Sequence, residues 1–245
     1  MTIPVQTGID AIAGGTDRLL ADVDGLDDRG VARPSLLPGW TVAHVLTHLC
    51  RNADGNRRML HGAAGGEVLD QYPGGVEGRA ADIEAGVARP AADVLEDLRA
   101  SSAQLAEALA GMPGEAWERP VRTLRGEMPA RRILGSRRRE VEMHHVDLGL
   151  GYGPGDWPAD LVTDELDQAI AGLSERLPAA TTLRLVATDR GRAWEAGVGA
   201  SPVTVSGPAA WLLAWLVGRP VTDGALGAIG ALGAPAGLPP LGPWG

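Results

Sequence analysis

The chain has 245 residues and a formal net charge of −9, and 44% of its residues are hydrophobic, so one large domain or two small ones can bury a substantial core. All 22 basic residues are arginines, which excludes a lysine Schiff base and a P-loop lysine. The basic residues form no long face or tail in the sequence. We therefore expect no nucleic acid as a partner.

The cysteine content and the apolar runs predict the cellular compartment of the protein. Cys50 is the only cysteine, so no internal disulfide can form, and we expect it to be a small buried hydrophobe rather than a nucleophile. No signal-peptide pattern opens the sequence, and no apolar run reaches the roughly 18 residues that span a membrane. We expect a cytoplasmic protein without a membrane partner and, because no heptad seam is visible, a monomer.

The first part of the chain has the periodicity of four amphipathic helices, and Thr41 is a suitable N-cap for the second of them. The predicted helices cover residues 1–25, 42–60, 91–109 and 129–148. Residues 61–80 are rich in glycine and contain the sequence YPGG, and we expect a long loop there, of a kind that is often functional. This arrangement predicts a helical bundle, in which metal sites lie between facing helices.

The second part of the chain has a mixed pattern. Helices are predicted over 159–177 and 207–217, and strands over 183–187 and 203–205. The final stretch is rich in glycine, proline and alanine, and we expect a poorly ordered tail. The sequence thus predicts an α+β protein with a helical bundle over residues 1–155 and a small α/β domain over residues 156–245.

Two of the predicted helices carry polar pairs at spacing i, i+4, which places each pair on one helix face. The first pair is His44 and His48, and the second is Glu140 and His144. With His145, these two short segments hold four of the five histidines in the chain. Histidine and glutamate that face each other from two helices can bind a metal and leave coordination positions open, which is typical of catalytic sites.

A helical wheel separates the candidates on the earlier helix. His48 lies about 110° from the centre of the apolar stripe and His44 about 150°. We therefore predict His48 as the ligand and Asn52, on the same side, as a pocket neighbour. His44 faces outward or supports His48.

On the later helix, Asp147 follows His144 by three residues and could orient its imidazole from behind. A simpler interpretation remains open for both helices, in which the pairs are surface contacts or polar core contacts. Glu140 beside Arg137 and Arg139 would then belong to a surface ion-pair cluster.

Four segments carry a resemblance to a known family, and they occur in the order LLPGWTVAHVLTHLCRNADG, QYPGGVEGRAADIEAG, REVEMHHVDLG and GPAAWLLAWLVGR. With these motifs the chain resembles the mycothiol-dependent maleylpyruvate isomerase family, within the larger DinB-like metalloprotein superfamily. The resemblance covers nearly the whole length, and four ordered segments are more specific than any one of them.

The resemblance implies a DinB-like four-helix bundle followed by a small α/β domain. It also implies a divalent metal, usually Zn²⁺, held by His48, Glu140 and His144, and a catalytic arginine in the last segment, which is Arg219 here. An arginine can bind a carboxylate or stabilise an enolate, although a cation at a helix end is also favoured by the helix dipole. Arg79, in the expected loop, is a weaker candidate for binding substrate or thiol.

The implied function is thiol chemistry, with mycothiol as cosubstrate and an electrophilic small molecule as substrate. In an isomerase, the thiolate adds to the cis double bond of a substrate such as maleylpyruvate, the bond rotates, and elimination leaves the trans isomer. In a mycothiol S-transferase the adduct is kept. Two alternatives are a metal-dependent hydrolase, which needs no thiol, and a non-catalytic metal- or ligand-binding module.

Overall fold

The computed structural model describes residues 4–199, 202–229 and 237–244. It divides into two compact units, one ending at Gly151 and one beginning at Tyr152, and the expected boundary followed residue 155. The first unit is mainly helical and the second combines helices with a four-stranded sheet, so the predicted α+β fold class is confirmed. In the described part of the chain, no helix has the length and apolar character that crossing a membrane requires.

The first unit contains helices and one short hairpin. Its helices are α1 Val5–Val23, α2 Asp28–Val31, α3 Val42–Gly65, α4 Gly75–Val87, α5 Ala91–Ala110 and α6 Arg132–Asp147. Strands β1 Pro120–Thr123 and β2 Gly126–Pro129 pair in antiparallel fashion just before α6. This hairpin was not predicted, and α6 begins at Arg132, later than the expected residue 129.

Four long helices of the described first unit form the bundle. Helix α1 packs on α5 and α6, and α3 also packs on α5 and α6. Their apolar stripes meet in two core clusters, one containing Leu46 and Leu98 and the other containing Leu60 and Leu105. Each fully buried leucine contributes about 1.5–3 kcal/mol, so this packing, more than helix propensity, stabilises the bundle.

The helices begin where the sequence supplies suitable residues. Helices α1 and α5 follow Pro4 and Pro90, whose fixed φ and missing N–H suit the start of a helix. Helix α3 follows Thr41, whose hydroxyl accepts from the backbone N–H of His44, while the backbone N–H of Thr41 donates to Nδ1 of His44 at 3.1 Å. This reciprocal pair is a capping box, with histidine in the place usually taken by glutamate or glutamine.

Helix α4 lies where a long loop was predicted. The loop prediction for residues 61–80 is wrong in part, because α3 continues to Gly65 and α4 begins at Gly75. Arg79 is consequently a helix residue. Helix α4 packs on α3, and Gly86 approaches the side chain of Thr47 so closely that no larger residue fits. The glycine content favours a loop locally, but here a glycine permits close helix packing.

The second unit is built on a mixed sheet. Its elements are α7 Ala159–Ala171, β3 Thr182–Ala187, β4 Arg192–Gly197, β5 Pro202–Gly207, α8 Ala209–Leu216 and β6 Gly227–Ile229. The strand order is β4-β3-β5-β6, with β3 and β5 parallel and the other pairs antiparallel. Helix α8 packs on α7, β3 and β5. The strands predicted over 183–187 and 203–205 are confirmed, whereas β4 and β6 were not predicted and α7 ends before residue 177.

The predicted poorly ordered tail falls partly on residues 230–236 and 245, which lie outside the described residues. Within the described residues of this stretch, Gly227–Ile229 pair with β5. The backbone N–H of Gly242 donates to the carbonyl of Arg176 at 2.8 Å. These parts of the glycine-rich stretch therefore contribute backbone hydrogen bonds to the second unit.

Replacing Gly86 by alanine should destabilise the first unit, because its Cβ would meet Thr47 in the contact between α4 and α3. Such overpacking costs about 1–3 kcal/mol. Gly78→Ala is the matched control on the same helix, since its added Cβ has no described atom within 4 Å beyond its chain neighbours and its own helix backbone. It should stabilise the protein by about 0.5–1 kcal/mol. Urea unfolding followed by circular dichroism measures both changes, and equal stability of the two variants would contradict the packing.

Candidate metal centre

Three side chains from α3 and α6 converge between these helices. Nε2 of His48 lies 2.8 Å from Oε2 of Glu140, and Nε2 of His144 lies 3.4 Å from the same oxygen. One nitrogen or oxygen of each residue lies within 4.8 Å of those of the other two. The structure thus brings together the three residues that the sequence offered as ligands.

A buried arginine fixes how α6 lies against α3. Arg137 is 1% exposed, and its Nη1 donates to the carbonyl of Leu49 at 2.9 Å and to Oδ1 of Asn52 at 2.8 Å. Glu140 follows Arg137 by about one turn, and His48 precedes Asn52 by about one turn. The two helices therefore run antiparallel, with Glu140 opposite His48.

His144 is oriented by a carboxylate on its own helix. Its Nδ1 lies 2.9 Å from Oδ2 of Asp147, which is buried. Because a carboxylate accepts hydrogen bonds, Nδ1 carries a proton and Nε2 is directed towards Glu140. Burial lowers the pKa of His144, but the hydrogen bonds to Asp147 and Glu140 outweigh it and raise the pKa above its usual value.

Glu140 supplies the negative charge of the cluster. Burial alone would raise its pKa, but hydrogen bonds from His144 and His48 hold the pKa of Glu140 well below its usual range. Its side chain is 32% exposed, against 4% for His48. An ionised carboxylate between two imidazoles is therefore present at neutral pH.

His48 lies in the most enclosed environment of the three. Burial lowers its pKa to about 4 and outweighs the opposing hydrogen bond to Glu140, so the imidazole is neutral at physiological pH. Nη2 of Arg79 lies 3.0 Å from Nδ1 of His48. The rings of Trp40 and His144 meet the His48 ring edge-on, with centroids 5.8 and 4.6 Å away. Neutral imidazole is the form that binds metals.

The donor set suits a divalent cation. Zn²⁺ binds nitrogen and carboxylate oxygen at about 2.0–2.2 Å in a tetrahedron, which places neighbouring donors about 3.3 Å apart. The separations of 2.8 and 3.4 Å lie on either side of that value, and no pair exceeds 4.8 Å. Three protein donors would leave a fourth position open, and other first-row divalent ions accept the same donors.

A polar wall lies beside His48. The guanidinium carbon of Arg79 is 6.0 Å from the centroid of the Tyr72 ring, and both Arg79 and Asn52 act to lower the pKa of Tyr72. Burial raises the pKa of Tyr72 and keeps the phenol protonated. Asn52 was predicted as a pocket neighbour and Arg79 as a weaker candidate for binding substrate or thiol, whereas Tyr72 and Trp40 were not predicted. Tyrosine occurs only twice in the chain. The position of Tyr72 in the YPGG segment could therefore have marked it as a candidate site residue.

The other histidines of the two motifs make different contacts. His44 caps α3, and its ring stacks on Trp40 with centroids 5.9 Å apart. The Trp40 ring also contacts His48. The indole of Trp40 therefore contacts both His44 and His48. His145 is fully buried, and its Nε2 lies 2.9 Å from Oδ2 of Asp22 on α1. His145 therefore faces a different helix from His144.

Arg219 belongs to the second unit and lies shortly after α8. Its backbone N–H donates to the carbonyl of Ala214 at 2.8 Å, and its Nη1 donates to the carbonyl of Val217 at 3.0 Å. A cation at the carboxyl end of a helix is favoured by the helix dipole. The catalytic role of Arg219 stays a prediction.

Comparison with known proteins identifies the family. Residues 12–149 match the family model of the mycothiol maleylpyruvate isomerase N-terminal domain. This match spans more than half of the chain, and the chain therefore belongs to this family. The resemblance given by the sequence motifs is confirmed.

The fold is also that of a solved structure. The crystal structure of the mycothiol-dependent maleylpyruvate isomerase matches with a TM-score of 0.87 and 26% sequence identity, over 99% of this chain and 98% of that chain. The crystal structure of a variant of that enzyme, with a histidine replaced by alanine, matches with the same values. Among curated proteins, no sequence matches this chain.

Cys50 should be unreactive in the folded protein. Its thiol is fully buried, and burial, reinforced by Asp97, raises its pKa to about 12. Since the thiolate is the reactive form, alkylation at pH 8 should be negligible in the native protein and should reach one thiol per chain after unfolding in guanidinium. Mass spectrometry after iodoacetamide treatment measures both. Complete labelling of the native protein would show that the thiol is accessible and ionised.

Proposed function

We propose that this chain is a metal-dependent isomerase that uses mycothiol to convert a small cis-unsaturated keto acid, such as maleylpyruvate, to its trans isomer. The observation that carries the proposal is the convergence of His48, Glu140 and His144 within 4.8 Å. The family to which the chain belongs, and a similar structure that is a mycothiol-dependent maleylpyruvate isomerase, support the substrate class.

The three side chains are proposed as ligands of a divalent cation, with Zn²⁺ as the best fit to two nitrogens and one oxygen. When bound, such a cation lowers the pKa of a thiol and makes a thiolate available at neutral pH. Asp147 would keep a proton on Nδ1 of His144, so that Nε2, which faces Glu140, is the nitrogen offered to the cation. Glu140, ionised at neutral pH, supplies one negative charge.

Arginines are proposed to meet the charge of the substrate. Arg219 would bind a carboxylate through paired hydrogen bonds or stabilise the enolate that develops during the reaction. Arg79 lies beside His48 and is the second candidate for binding substrate or thiol. Asn52, with its neighbour Tyr72, would add hydrogen bonds along the same wall.

The proposed reaction is balanced without an oxidant or reductant. The thiolate sulfur bonds to one carbon of the cis double bond, and the π electrons move onto the conjugated carbonyl as an enolate. The former double bond is now single and rotates. The enolate electrons then re-form the double bond and expel the thiolate, which leaves the trans isomer. An S-transferase would instead protonate the enolate and keep the adduct, with the same residues.

The purified protein should contain about one equivalent of divalent metal per chain and should bind mycothiol. His48→Ala should lose both properties, because two remaining ligands hold a cation weakly. His61→Ala is the matched control, since His61 is exposed on the same helix α3. Elemental analysis and calorimetric titration with mycothiol measure the two properties.

The outcomes separate the alternatives. Turnover of a substrate without any thiol would favour a metal-dependent hydrolase over the proposed enzyme. Mycothiol binding without turnover of maleylpyruvate would favour a non-catalytic binding module. An adduct that accumulates in place of a trans product would favour the S-transferase.

Arg219→Gln should lower kcat/KM for maleylpyruvate by about 10²-fold or more, because it removes charge stabilisation of the enolate. Metal content and mycothiol affinity should stay unchanged. Arg184→Gln, an exposed change on β3 of the same unit, is the control for loss of one positive charge. Wild-type kcat/KM in Arg219→Gln would contradict the proposed catalytic role of Arg219.

A further inference from the structure

The contact between Arg79 and His48 conflicts with the proposed role of His48. Nη2 of Arg79 lies 3.0 Å from Nδ1 of His48. A guanidinium has five N–H donors and no acceptor. Nδ1 of His48 must therefore be the acceptor in this contact.

The position of the imidazole proton follows from this contact. A neutral imidazole has one N–H, and with Nδ1 accepting, the proton is on Nε2. Nε2 of His48 lies 2.8 Å from Oε2 of Glu140, which accepts that proton in a hydrogen bond. The nitrogen that would bind the cation is thus occupied by a proton.

His144 is arranged in the opposite way. Its Nδ1 donates to Oδ2 of Asp147 at 2.9 Å, so a cation bound at Nε2 would leave this hydrogen bond in place. Metal-bound histidines usually donate their other N–H to a carboxylate, a carbonyl or water. His144 follows this pattern, whereas Nδ1 of His48 faces the guanidinium of Arg79, which cannot accept a hydrogen bond.

We infer that Arg79 and a divalent cation compete for His48, so that Arg79 must leave Nδ1 of His48 before the cation can be bound by all three ligands. This inference rests on the proposed function. A cation at Nε2 would place the proton on Nδ1, opposite a group that cannot accept it. The like charges of Arg79 and the cation add to the conflict.

The ring of Tyr72 offers Arg79 an alternative contact when it leaves His48. Its guanidinium carbon already lies 6.0 Å from the centroid of the Tyr72 ring, within the range of a cation–π contact. Its positive charge also acts to lower the pKa of the Tyr72 hydroxyl. Arg79 is therefore a positioning residue that sets the metal affinity of the site through His48.

The test is the zinc affinity of the metal-free protein, measured by competition with a chromogenic chelator. Arg79→Gln should bind zinc about tenfold more tightly than wild type, about 1.4 kcal/mol, because the glutamine carbonyl can accept from Nδ1. Arg79→Met, which removes the donor without adding an acceptor, should also bind more tightly. Arg132→Gln, an exposed change on α6, is the control for net charge.

Equal or weaker zinc binding by both Arg79 variants would overturn the inference and leave the metal centre intact. A similar gain in Arg132→Gln would also overturn it, because the effect would then be one of net charge. No zinc binding by wild type or any variant would overturn both the inference and the proposed function.

A second measurement needs no variant at position 79. The ¹⁵N shifts of the imidazole should show the Nε2–H form of His48 in the metal-free wild-type protein and the Nδ1–H form after zinc is added. The signals are assigned by their loss in His48→Gln. An Nδ1–H form of His48 before zinc is added would overturn the inference.

Discussion

The candidate site depends on one buried guanidinium. On α6, Arg137 lies between Leu134 of one core cluster and Val141 of the other. Its Nη1 donates to the carbonyl of Leu49 and to the side chain of Asn52. Helix α6 cannot slide along α3 without breaking these bonds, and each hydrogen bond that involves a charged group contributes about 1.5–3 kcal/mol. A slip of one residue would move Glu140 by about 1.5 Å, far beyond the ~0.2 Å tolerance of metal–ligand distances. The position of α6 along α3 therefore also fixes the geometry of His48, Glu140 and His144.

Within that register, the two histidines are controlled by different parts of the structure. His144 is held by Asp147, one turn away on the same helix, and this acceptor raises its pKa. His48 faces Arg79 from α4 and is enclosed, and burial lowers its pKa to about 4. The hydrogen bonding and pKa of His144 thus depend on a nearby residue in the sequence, whereas those of His48 depend on tertiary packing. This asymmetry is the reason that α4, which contributes none of the three converging residues, bears on the chemistry of the site.

The same distinction explains how far sequence reasoning reached. Local rules predicted the Thr41 cap, the shared face of Glu140 and His144, and Asp147 beside it, because each depends on residues within one turn. Helix α4 was missed because its glycines favour a loop locally, and only the packing against α3 shows their use. The helical wheel placed His48 at the edge of the core, but His48 is only 3% exposed. A helical wheel of α3 alone takes no account of α4 or of Trp40, which pack against this side of the helix. Arg79 was named as a candidate, but its contact with His48 needed the fold.

The composition of the chain also bears on why the nucleophile should come from outside. The chain has no lysine, and its one thiol, Cys50, is buried with its pKa raised to about 12. Neither a lysine amine nor the Cys50 thiol is therefore available to attack an electrophilic carbon at neutral pH. The proposed metal centre, whose most exposed residue is Glu140, would instead offer its fourth coordination position to a small thiol from solution. Burying its own thiol among the leucines of the bundle keeps the protein from reacting with the electrophile that it is proposed to convert.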